Sequence, residues 1–219
     1  MGRIIAIANQ KGGVGKSTTA INLSACLAEL GQRVLLIDID PQGNTTSGVG
    51  VDKDNVNATL YELLVGECEV SDCLIENLSG AEIELLGVDG REFLLKNHID
   101  SIRDNYDFII MDCPPSLNVL TINAMTTADS VLVPIQCEYY ALEGLTQLIH
   151  TIELVQDRLN PDLDIEGVVF TMYDARTNLS LQVVENVKNN LDQSIYKTII
   201  PRNVRLAEAP SYGLPITLY

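Results

Sequence analysis

The chain opens with an apolar run, Ile4–Ala8, and the stretch that decides the fold follows it as Lys11-Gly12-Gly13-Val14-Gly15-Lys16-Ser17-Thr18. The pattern fits the phosphate-binding loop G-x-x-x-x-G-K-[ST] loosely, because a lysine stands where the first glycine is expected. The glycines allow the backbone to fold around an anion, with several N–H groups directed at phosphate oxygens. The last lysine can reach terminal phosphates, the serine hydroxyl can bind Mg²⁺, and the positive end of a following helix adds to the attraction. The stretch therefore predicts a phosphate site.

The lysine at the loop entrance, Lys11, has no place in an ordinary phosphate loop, which needs only one lysine. We therefore expect it to have a separate function. The alternative interpretation is a glycine-rich turn with two solvated lysines, and the strand–loop–helix context argues against it.

Helical and strand patterns continue after the loop. Apolar residues recur at helical spacing and are followed by a glycine that suits a helix C-terminus: Ala20, Leu23, Leu27, Leu30 and Gly31. A second apolar run, Val34–Ile37, then predicts a buried strand. This part of the chain thus predicts a strand–helix–strand unit.

Apolar runs and helical patterns alternate along the rest of the chain. The predicted strands are Arg3–Asn9, Arg33–Ile39, Phe108–Asp112, Ser130–Ile135, Ile165–Thr171 and Ile195–Ile200. The predicted helices are Lys16–Leu30, Arg91–Asn105, Leu117–Thr127, Leu142–Leu159 and Ser180–Leu191. Strands that are apolar on both faces and alternate with helices indicate an α/β fold, a doubly wound, mostly parallel twisted sheet flanked by helices.

The composition suits a single domain. The chain has 219 residues, 46% of them hydrophobic, which is enough for one core. We expect neither a bilayer-spanning helix nor an N-terminal signal segment. The five cysteines form no C-x-x-C pair, and Cys26 and Cys113 fit buried positions, so free thiols in a reducing cytoplasm are expected. A metal cluster is the alternative interpretation.

The net charge of −16 argues against a generally basic nucleic-acid binder. The charge is unevenly distributed, since residues 41–112 carry fifteen acidic and four basic side chains. Residues 193–207, in contrast, carry three basic side chains and no acidic one. A solvated surface is the ordinary interpretation of such a stretch.

Acidic side chains close two of the predicted strands. Asp38 and Asp40 end the second strand, and Asp112 ends an apolar run with the Walker B pattern. Ligands of a doubly wound sheet bind beyond the carboxyl ends of its strands, where these acids, Gln136 and the glycine loop all fall. Asp112 is therefore predicted to hold Mg²⁺ through a coordinated water. The alternative is an exposed aspartate in a turn.

Taken together, these motifs resemble the ParA/MinD class of deviant-Walker P-loop ATPases, and within it the ParA/Soj partitioning branch. The resemblance covers nearly the whole chain. It is carried by the segments Lys11–Thr18, Asp38–Asn44, Asp112–Leu117, Gln136–Gly144, Asp174–Asn178 and Ile200–Leu206.

The resemblance implies a role for each matching residue. Lys11 matches the signature lysine, which crosses a nucleotide-sandwich dimer to the partner's ATP, and Lys16 matches the phosphate-loop lysine. Asp40 matches the acid that orients the attacking water. Lys11, Lys16 and Asp40 are therefore the expected catalytic residues.

The resemblance also implies ATP and Mg²⁺ as cofactors. The residues expected to bind ATP are Lys11, Gly12, Gly13, Val14, Gly15, Lys16, Ser17 and Thr18, with a loop near the adenine formed by Pro201, Asn203 and Val204. The residues expected at Mg²⁺ are Ser17, Asp40 and Asp112. The residues that match a region used by the family for non-specific DNA are Arg176, Arg202 and Arg205.

The function that the resemblance implies is a slow ATPase switch in chromosome or plasmid segregation. ATP closes a homodimer, the dimer binds double-stranded DNA without sequence preference, and hydrolysis releases it. The expected partner is a ParB/Spo0J-type DNA-binding protein. The expected location is the cytoplasm, in association with the nucleoid and not with a membrane. A few arginines are enough for weak, salt-sensitive contact with DNA phosphates.

Two departures from the family pattern affect the expected single domain, residues 1–219. Relatives carry another strand shortly before the segment that matches Ser79–Leu85, and no such strand is visible near residues 76–80. Relatives also continue beyond the position of Tyr219 into a C-terminal helix that packs on the sheet. These gaps bear on fold stability and dimer geometry more than on the phosphate site.

Three alternative functions stay open on the sequence. A MinD-like membrane-cycling regulator would need a basic amphipathic C-terminal helix, which Leu214–Tyr219 does not predict. A nitrogenase-reductase-like electron donor would need cysteines matched at a dimer axis, and Cys113 and Cys137 do not follow that pattern. The third is a nucleotide-binding homologue that has lost turnover.

Overall fold

A computed structural model of the protein describes residues 1–53, 56, 58–64, 67–75, 83–87, 93–138, 141–191 and 194–219. Its described strands form one seven-stranded sheet. They are β1 Arg3–Ile7, β2 Val34–Asp38, β3 Ile83–Gly87, β4 Phe108–Asp112, β5 Ser130–Gln136, β6 Asp164–Tyr173 and β7 Ile195–Pro201.

The strands lie in the order β3-β2-β4-β1-β5-β6-β7, and each neighbouring pair is parallel. The N-terminal strand β1 is therefore central, with β4 on one side and β5 on the other. This order confirms the predicted doubly wound sheet. It also brings the carboxyl ends of β1, β2 and β4 side by side, where the predicted phosphate site lies.

Helices connect the strands. They are α1 Lys16–Glu29, α2 Asn44–Gly48, α3 Leu60–Leu64, α4 Val70–Cys73, α5 Leu94–Ile102, α6 Val119–Thr127, α7 Ala141–Arg158, α8 Asn178–Asn190 and α9 Val204–Glu208. None of the helices among the described residues is long and apolar enough to cross a membrane.

Each face of the sheet buries its own core. Alternate residues of β1 enter the two cores: Ile4 and Ala6 face one, and Ile5 and Ile7 face the other. The first core includes buried side chains of α5, α6, α7 and α8, and the second includes those of α1. Strands buried on both faces explain why the predicted strands are continuously apolar.

The buried face of α1 differs from the predicted one. Leu30 is 76% exposed, and Leu23 and Leu27 are only partly buried. The residues of the helix that are buried are Lys16, Ala20, Ile21, Ser24 and Ala25. Small side chains on this face allow the helix to lie close to the sheet, which moves the leucines to its margins. Gly31 ends the helix as predicted, with φ +79°.

Capping side chains set two helix starts that differ from the predicted ones. The Asn118 side chain accepts hydrogen bonds from the N–H groups of Leu120 and Thr121, at 3.0 and 3.3 Å, so α6 begins after it. The Thr177 hydroxyl accepts one from the Ser180 N–H at 3.4 Å, so α8 begins earlier than predicted.

The edge strand β3 lies where the sequence pattern predicts no strand. It pairs with β2 in register, with Val34 opposite Ile83 and Asp38 opposite Gly87. Its sequence, IELLG, is short and interrupted by a glutamate, which hides the strand pattern. Residues 76–80, where the family's additional strand is expected to be missing, lie outside the described part of the chain.

Candidate functional site

The glycine loop between β1 and α1 borders a cavity of about 310 Å³. The predicted residues that line it are Gly12, Gly13, Gly15, Lys16, Ser17, Thr18 and Asp40. Gly13 and Gly15 have φ angles of +73° and +90°, which side chains rarely adopt, and Gly15 is the N-cap of α1. Glycines are therefore required at these two positions to curve the backbone into the helix.

Lys16 is held inside the loop. It is 7% exposed, and its ammonium group donates a 3.1 Å hydrogen bond to the main-chain carbonyl of Lys11. Burial lowers the pKa of Lys16, and the negative charges of Asp112 and Asp40 oppose that shift. The loop thus concentrates a cation where phosphate oxygens would bind.

The side chain of Lys11 does not line this cavity. Its ammonium group donates to the Glu138 carboxylate at 2.8 Å, and the other oxygen of Glu138 accepts from Gln136. The main-chain N–H of Lys11 donates to Asn9, whose amide in turn donates to the carbonyl of Pro134. The loop entrance is therefore fixed to β5, and the Lys11 side chain is 36% exposed. This position agrees with a function separate from that of Lys16.

Asp112 lies at the carboxyl end of β4, directly opposite Asp38 of β2. It is fully buried, and one carboxylate oxygen accepts from the Thr45 hydroxyl at 2.7 Å. The other oxygen, Oδ1, accepts no hydrogen bond of regular geometry among the described residues, although the Ser17 hydroxyl is near enough to the carboxylate to affect its pKa. Burial raises the pKa of Asp112 to about 7, the Asp38 charge adds to the rise, and the hydroxyls of Ser17 and Thr45 oppose it. A buried oxygen without a partner suits a cation or its water shell.

The two other acids of the site have different tasks. Asp38 is buried and accepts from the Thr46 N–H and hydroxyl, at 2.8 and 2.7 Å, and from the Asp40 N–H. It therefore holds the turn that leads into α2. Asp40 lines the cavity, and its Oδ1 accepts from the N–H of Gln42 at 3.0 Å, which orients the carboxylate.

Two residues at the end of β6, Thr171 and Met172, join the site without having been predicted. The buried Thr171 hydroxyl donates a 2.8 Å hydrogen bond to the carbonyl of Val14, whose side chain is buried away from the cavity. Met172 lines the cavity with a φ of 51°, unusual for a residue with a side chain. The carboxyl end of a predicted strand was the available signal for both residues.

The residues expected near the adenine lie at the end of β7. Pro201 closes that strand, and Asn203 caps α9 by accepting from the N–H of Arg205 at 2.9 Å. Val204 begins α9 and is exposed. The structure brings these residues to the same edge of the sheet as the glycine loop, but none of them lines the described cavity.

The three predicted DNA-binding arginines differ in their surroundings. Arg176 forms two hydrogen bonds with Asp174, at 2.9 and 2.7 Å, and these hold the pKa of Asp174 well below its usual range. Arg202 and Arg205 are exposed and form no ion pair within the described part of the chain. The charge of Arg176, which the resemblance assigns to DNA binding, is therefore already paired with that of Asp174.

The cysteines correct one prediction. Cys113 and Cys137 are buried free thiols, but Cys26 is exposed on α1, because the buried face of that helix carries other residues. No group of three or more His, Cys, Asp or Glu side chains suited to a metal ion is present among the described residues. The described side chains thus give no support to a metal-cluster interpretation.

A parallel sheet whose central strand leads through a glycine loop into a helix, with acids on the next two strands, defines a P-loop nucleotide-binding protein. The AAA domain family matches residues 2–165. The sporulation initiation inhibitor protein Soj of Bacillus subtilis is 58% identical and aligns over 100% of this chain and 92% of its own length. The chromosome partitioning protein ParA of Myxococcus xanthus is 52% identical and aligns over 100% of this chain and 82% of its own length.

Among solved structures, cobyrinic acid a,c-diamide synthase from Mycobacterium smegmatis with bound ADP and magnesium matches with a TM-score of 0.87 and 37% identity, over 97% of this chain and 93% of that one. The fold, the glycine loop and the similarity to these proteins all indicate the same family. The chain belongs to the Soj/ParA family of partitioning ATPases.

Proposed function

We propose that this partitioning ATPase is a switch that binds ATP with Mg²⁺ beside the glycine loop and turns it over slowly in chromosome or plasmid segregation. The observation that carries the proposal is the cavity itself. Both Lys16, which is nearly buried, and Asp40 line it. The remaining wall is formed by Gly12, Gly13, Gly15, Ser17, Thr18, Asn44, Pro115 and Met172.

The proposed magnesium ligands fit the donor preference of the ion. Mg²⁺ takes oxygen ligands and keeps several waters. Ser17 and Asp40 line the cavity, and Asp112 supplies the buried oxygen without a partner. When bound, Mg²⁺ would neutralise charge that develops on the phosphates.

Asp40 is proposed to orient the attacking water. Its carboxylate lies in the cavity wall and is fixed by the Gln42 N–H. Lys16 would bind the terminal phosphate oxygens as negative charge grows on them. A site that relies on positioning and charge is expected to work slowly until a partner completes it.

Lys11 is proposed to act across an ATP-bound homodimer. In the single chain its ammonium group points to Glu138, outside its own phosphate cavity, and remains partly exposed. A lysine on this surface can reach the nucleotide of a second copy when two such surfaces meet. Dimer closure would then depend on ATP, because the negative phosphates attract the incoming lysine.

The ATP dimer is further proposed to bind double-stranded DNA without sequence preference and so to associate with the nucleoid. Arg202 and Arg205 are exposed on or beside α9, and dimerisation doubles their number. Phosphate contacts of this kind are weak and sensitive to salt. A ParB-type DNA-binding protein is the proposed partner, and its basic segment would suit a chain of net charge −16.

We also propose that residues 1–219 form one ATPase domain with a shortened segment near residues 76–80. The alignment with Bacillus subtilis Soj spans 232 positions and takes in all of this chain, which has 219 residues. The relative therefore carries residues that this chain lacks. Since β3 still pairs with β2, the shortening leaves the edge of the sheet in place.

Calorimetric titration with Mg²⁺-ATP tests the proposal. Lys16→Ala should weaken ATP binding by about tenfold or more, because a charge-assisted phosphate contact contributes about 1.5–3 kcal/mol. Lys188→Ala, an exposed lysine of α8, is the matched control and should bind ATP like the parent. Equal affinity of the Lys16 variant and the control would show that the loop is not the nucleotide site.

A further inference from the structure

Two cysteines outside the nucleotide site, Cys68 and Cys73, lie close together. Their Sγ atoms are 3.4 Å apart, and the Cys73 thiol also contacts the carbonyl of Thr59 at 3.2 Å. Disulfide sulfurs are separated by about 2.0 Å, so a closing movement of about 1.4 Å would join the pair. Neither residue lines the phosphate cavity.

Local backbone structure explains this proximity. Helix α4 begins after Glu69, and a capping box joins Glu69 and Asp72: the Glu69 N–H donates to the Asp72 carboxylate at 2.9 Å. Cys68 precedes the N-cap, and Cys73 is the fourth residue of the helix. These are the two positions that a hydrophobic staple brings into contact. The capping box therefore holds the two thiols side by side.

We propose that Cys68 and Cys73 are a disulfide-forming pair, oxidised by thiol–disulfide exchange with a small-molecule disulfide. The Cys68 sulfur, as thiolate, attacks one sulfur of the reagent, whose S–S bond breaks and releases one small thiol. The Cys73 sulfur loses its proton to solvent and attacks the Cys68 sulfur, which expels the second small thiol. The protein loses two hydrogens, and the reagent is reduced to two thiols.

The surroundings assign the order of these steps. Cys68 is partly exposed, whereas Cys73 is buried. Burial raises the pKa of the Cys73 thiol to about 12, and the neighbouring Cys68, Asp72 and Glu62 add to the rise. Cys68 is therefore the attacking thiol and Cys73 the resolving one. Because only a small fraction of the Cys73 thiol is ionised, the disulfide should form slowly, and because its thiolate is a poor leaving group, the disulfide should resist reduction.

The disulfide would stabilise the segment that leads to the sheet edge. Cys73 belongs to the larger core, and Cys68, Val70 and Leu74 pack against it. Helix α4 also contacts the edge strand β3. A covalent ring across the start of α4 restricts the unfolded chain and thereby favours the folded segment.

Mass spectrometry after equilibration with oxidised glutathione tests the pair. The reference protein carries Cys26→Ser, because the exposed Cys26 thiol would react by itself. After acid quench, unfolding and alkylation, cleavage after Glu69 separates the two cysteines in sequence. We expect the two peptides to remain linked and to separate after reduction. The intact oxidised protein should be two hydrogens lighter than the reduced protein.

The single variants make the result decisive. Cys73→Ser should accumulate one glutathione on Cys68, and Cys68→Ser should stay unmodified at Cys73. The oxidised reference protein should melt several degrees above its reduced form, a difference that both variants lose. Full alkylation of Cys68 and Cys73 after oxidation, or glutathione retained on Cys68 while Cys73 is present, would overturn the proposal.

Discussion

The Thr171 hydroxyl donates a hydrogen bond of 2.8 Å to the carbonyl of Val14, and so joins the end of β6 to the glycine loop. The two residues are 157 positions apart in the chain, and both are buried. The bond fixes the Val14 carbonyl to β6, a strand that lies two places from β1 in the sheet. We therefore expect the shape of the loop, and with it the affinity for phosphate, to depend on this contact.

Thr171→Val should weaken ATP binding about threefold to tenfold, because it removes one buried hydrogen bond of about 0.5–1.5 kcal/mol while keeping the side-chain shape. Thr151→Val is the matched control, since the Thr151 hydroxyl donates to a carbonyl within α7. Calorimetry with Mg²⁺-ATP measures both variants. If Thr171→Val binds ATP with the affinity of the parent, this hydrogen bond does not support the loop.

Lys11→Ala should bind ATP within about twofold of the parent yet fail to dimerise with a non-hydrolysable analogue, because the Lys11 side chain lies outside its own cavity. Light scattering at matched nucleotide saturation measures the dimer. Lys188→Ala again serves as control. A dimer of parental strength in the Lys11 variant would contradict the proposed action in trans.

Asp40→Ala should bind ATP and lower the steady-state release of phosphate by about a hundredfold, in line with the loss of a positioned carboxylate. The variant should therefore accumulate as the ATP dimer. Asp162→Ala, at an exposed turn, is a control for the loss of one negative charge. Parental turnover in the Asp40 variant would exclude this carboxylate from water orientation.

The nucleotide-free protein should lose stability as the pH rises, through the contribution of Asp112. Its pKa is raised in the folded state from 3.8 to about 7, mainly by burial, so the folded chain binds more protons than the unfolded chain between these values. The contribution of Asp112 to the free energy of unfolding is thus greatest at low pH and decreases as the pH rises to about 7.

Asp112→Asn removes the titration and keeps the shape. Thermal unfolding of both proteins from pH 5 to pH 8, at fixed ionic strength, should show a melting temperature that falls with pH more steeply in the parent. Mg²⁺ should flatten the parental curve, since the ion favours the charged carboxylate. Parallel curves without Mg²⁺ would refute the raised pKa.

Charge reversal at Arg202 and Arg205 together should abolish retention of double-stranded DNA by the ATP dimer and reduce its salt dependence. Arg176→Glu should have a smaller effect, because Asp174 already neutralises that guanidinium. Co-sedimentation at several salt concentrations compares the parent, the double variant and the Arg176 variant. Equal losses of DNA binding in the two variants would mean that the ion pair between Arg176 and Asp174 opens on DNA.

Much of the sheet could be predicted from the sequence because strands β1, β2, β4 and β5 are buried along nearly all of their length and their sequences are apolar runs. Edge strand β3 has a neighbour on one side only, and its short sequence with Glu84 does not form such a run. On α1, Leu30 follows the helical spacing of apolar residues but is exposed, because other residues, among them Ala20, Ile21 and Ala25, form the buried face.

The glycine loop and the acids were predictable because their chemistry is local in sequence. The Thr45 contact to Asp112 and the Thr171 contact to Val14 were not, because they join residues distant in the chain. Hydroxyl side chains are common, and only the folded sheet shows which of them meets a buried partner. For Met172 the only available signal was its position after a predicted strand, and nothing in the sequence indicates its left-handed backbone.

The hydrogen bond from the Lys16 ammonium group to the Lys11 carbonyl uses one of the three N–H donors of that group. The two other donors can meet phosphate oxygens while this bond stays in place. The carbonyl belongs to the residue whose own side chain faces away from the cavity. One main-chain group therefore anchors the lysine inside the loop and belongs to the lysine that points out of it.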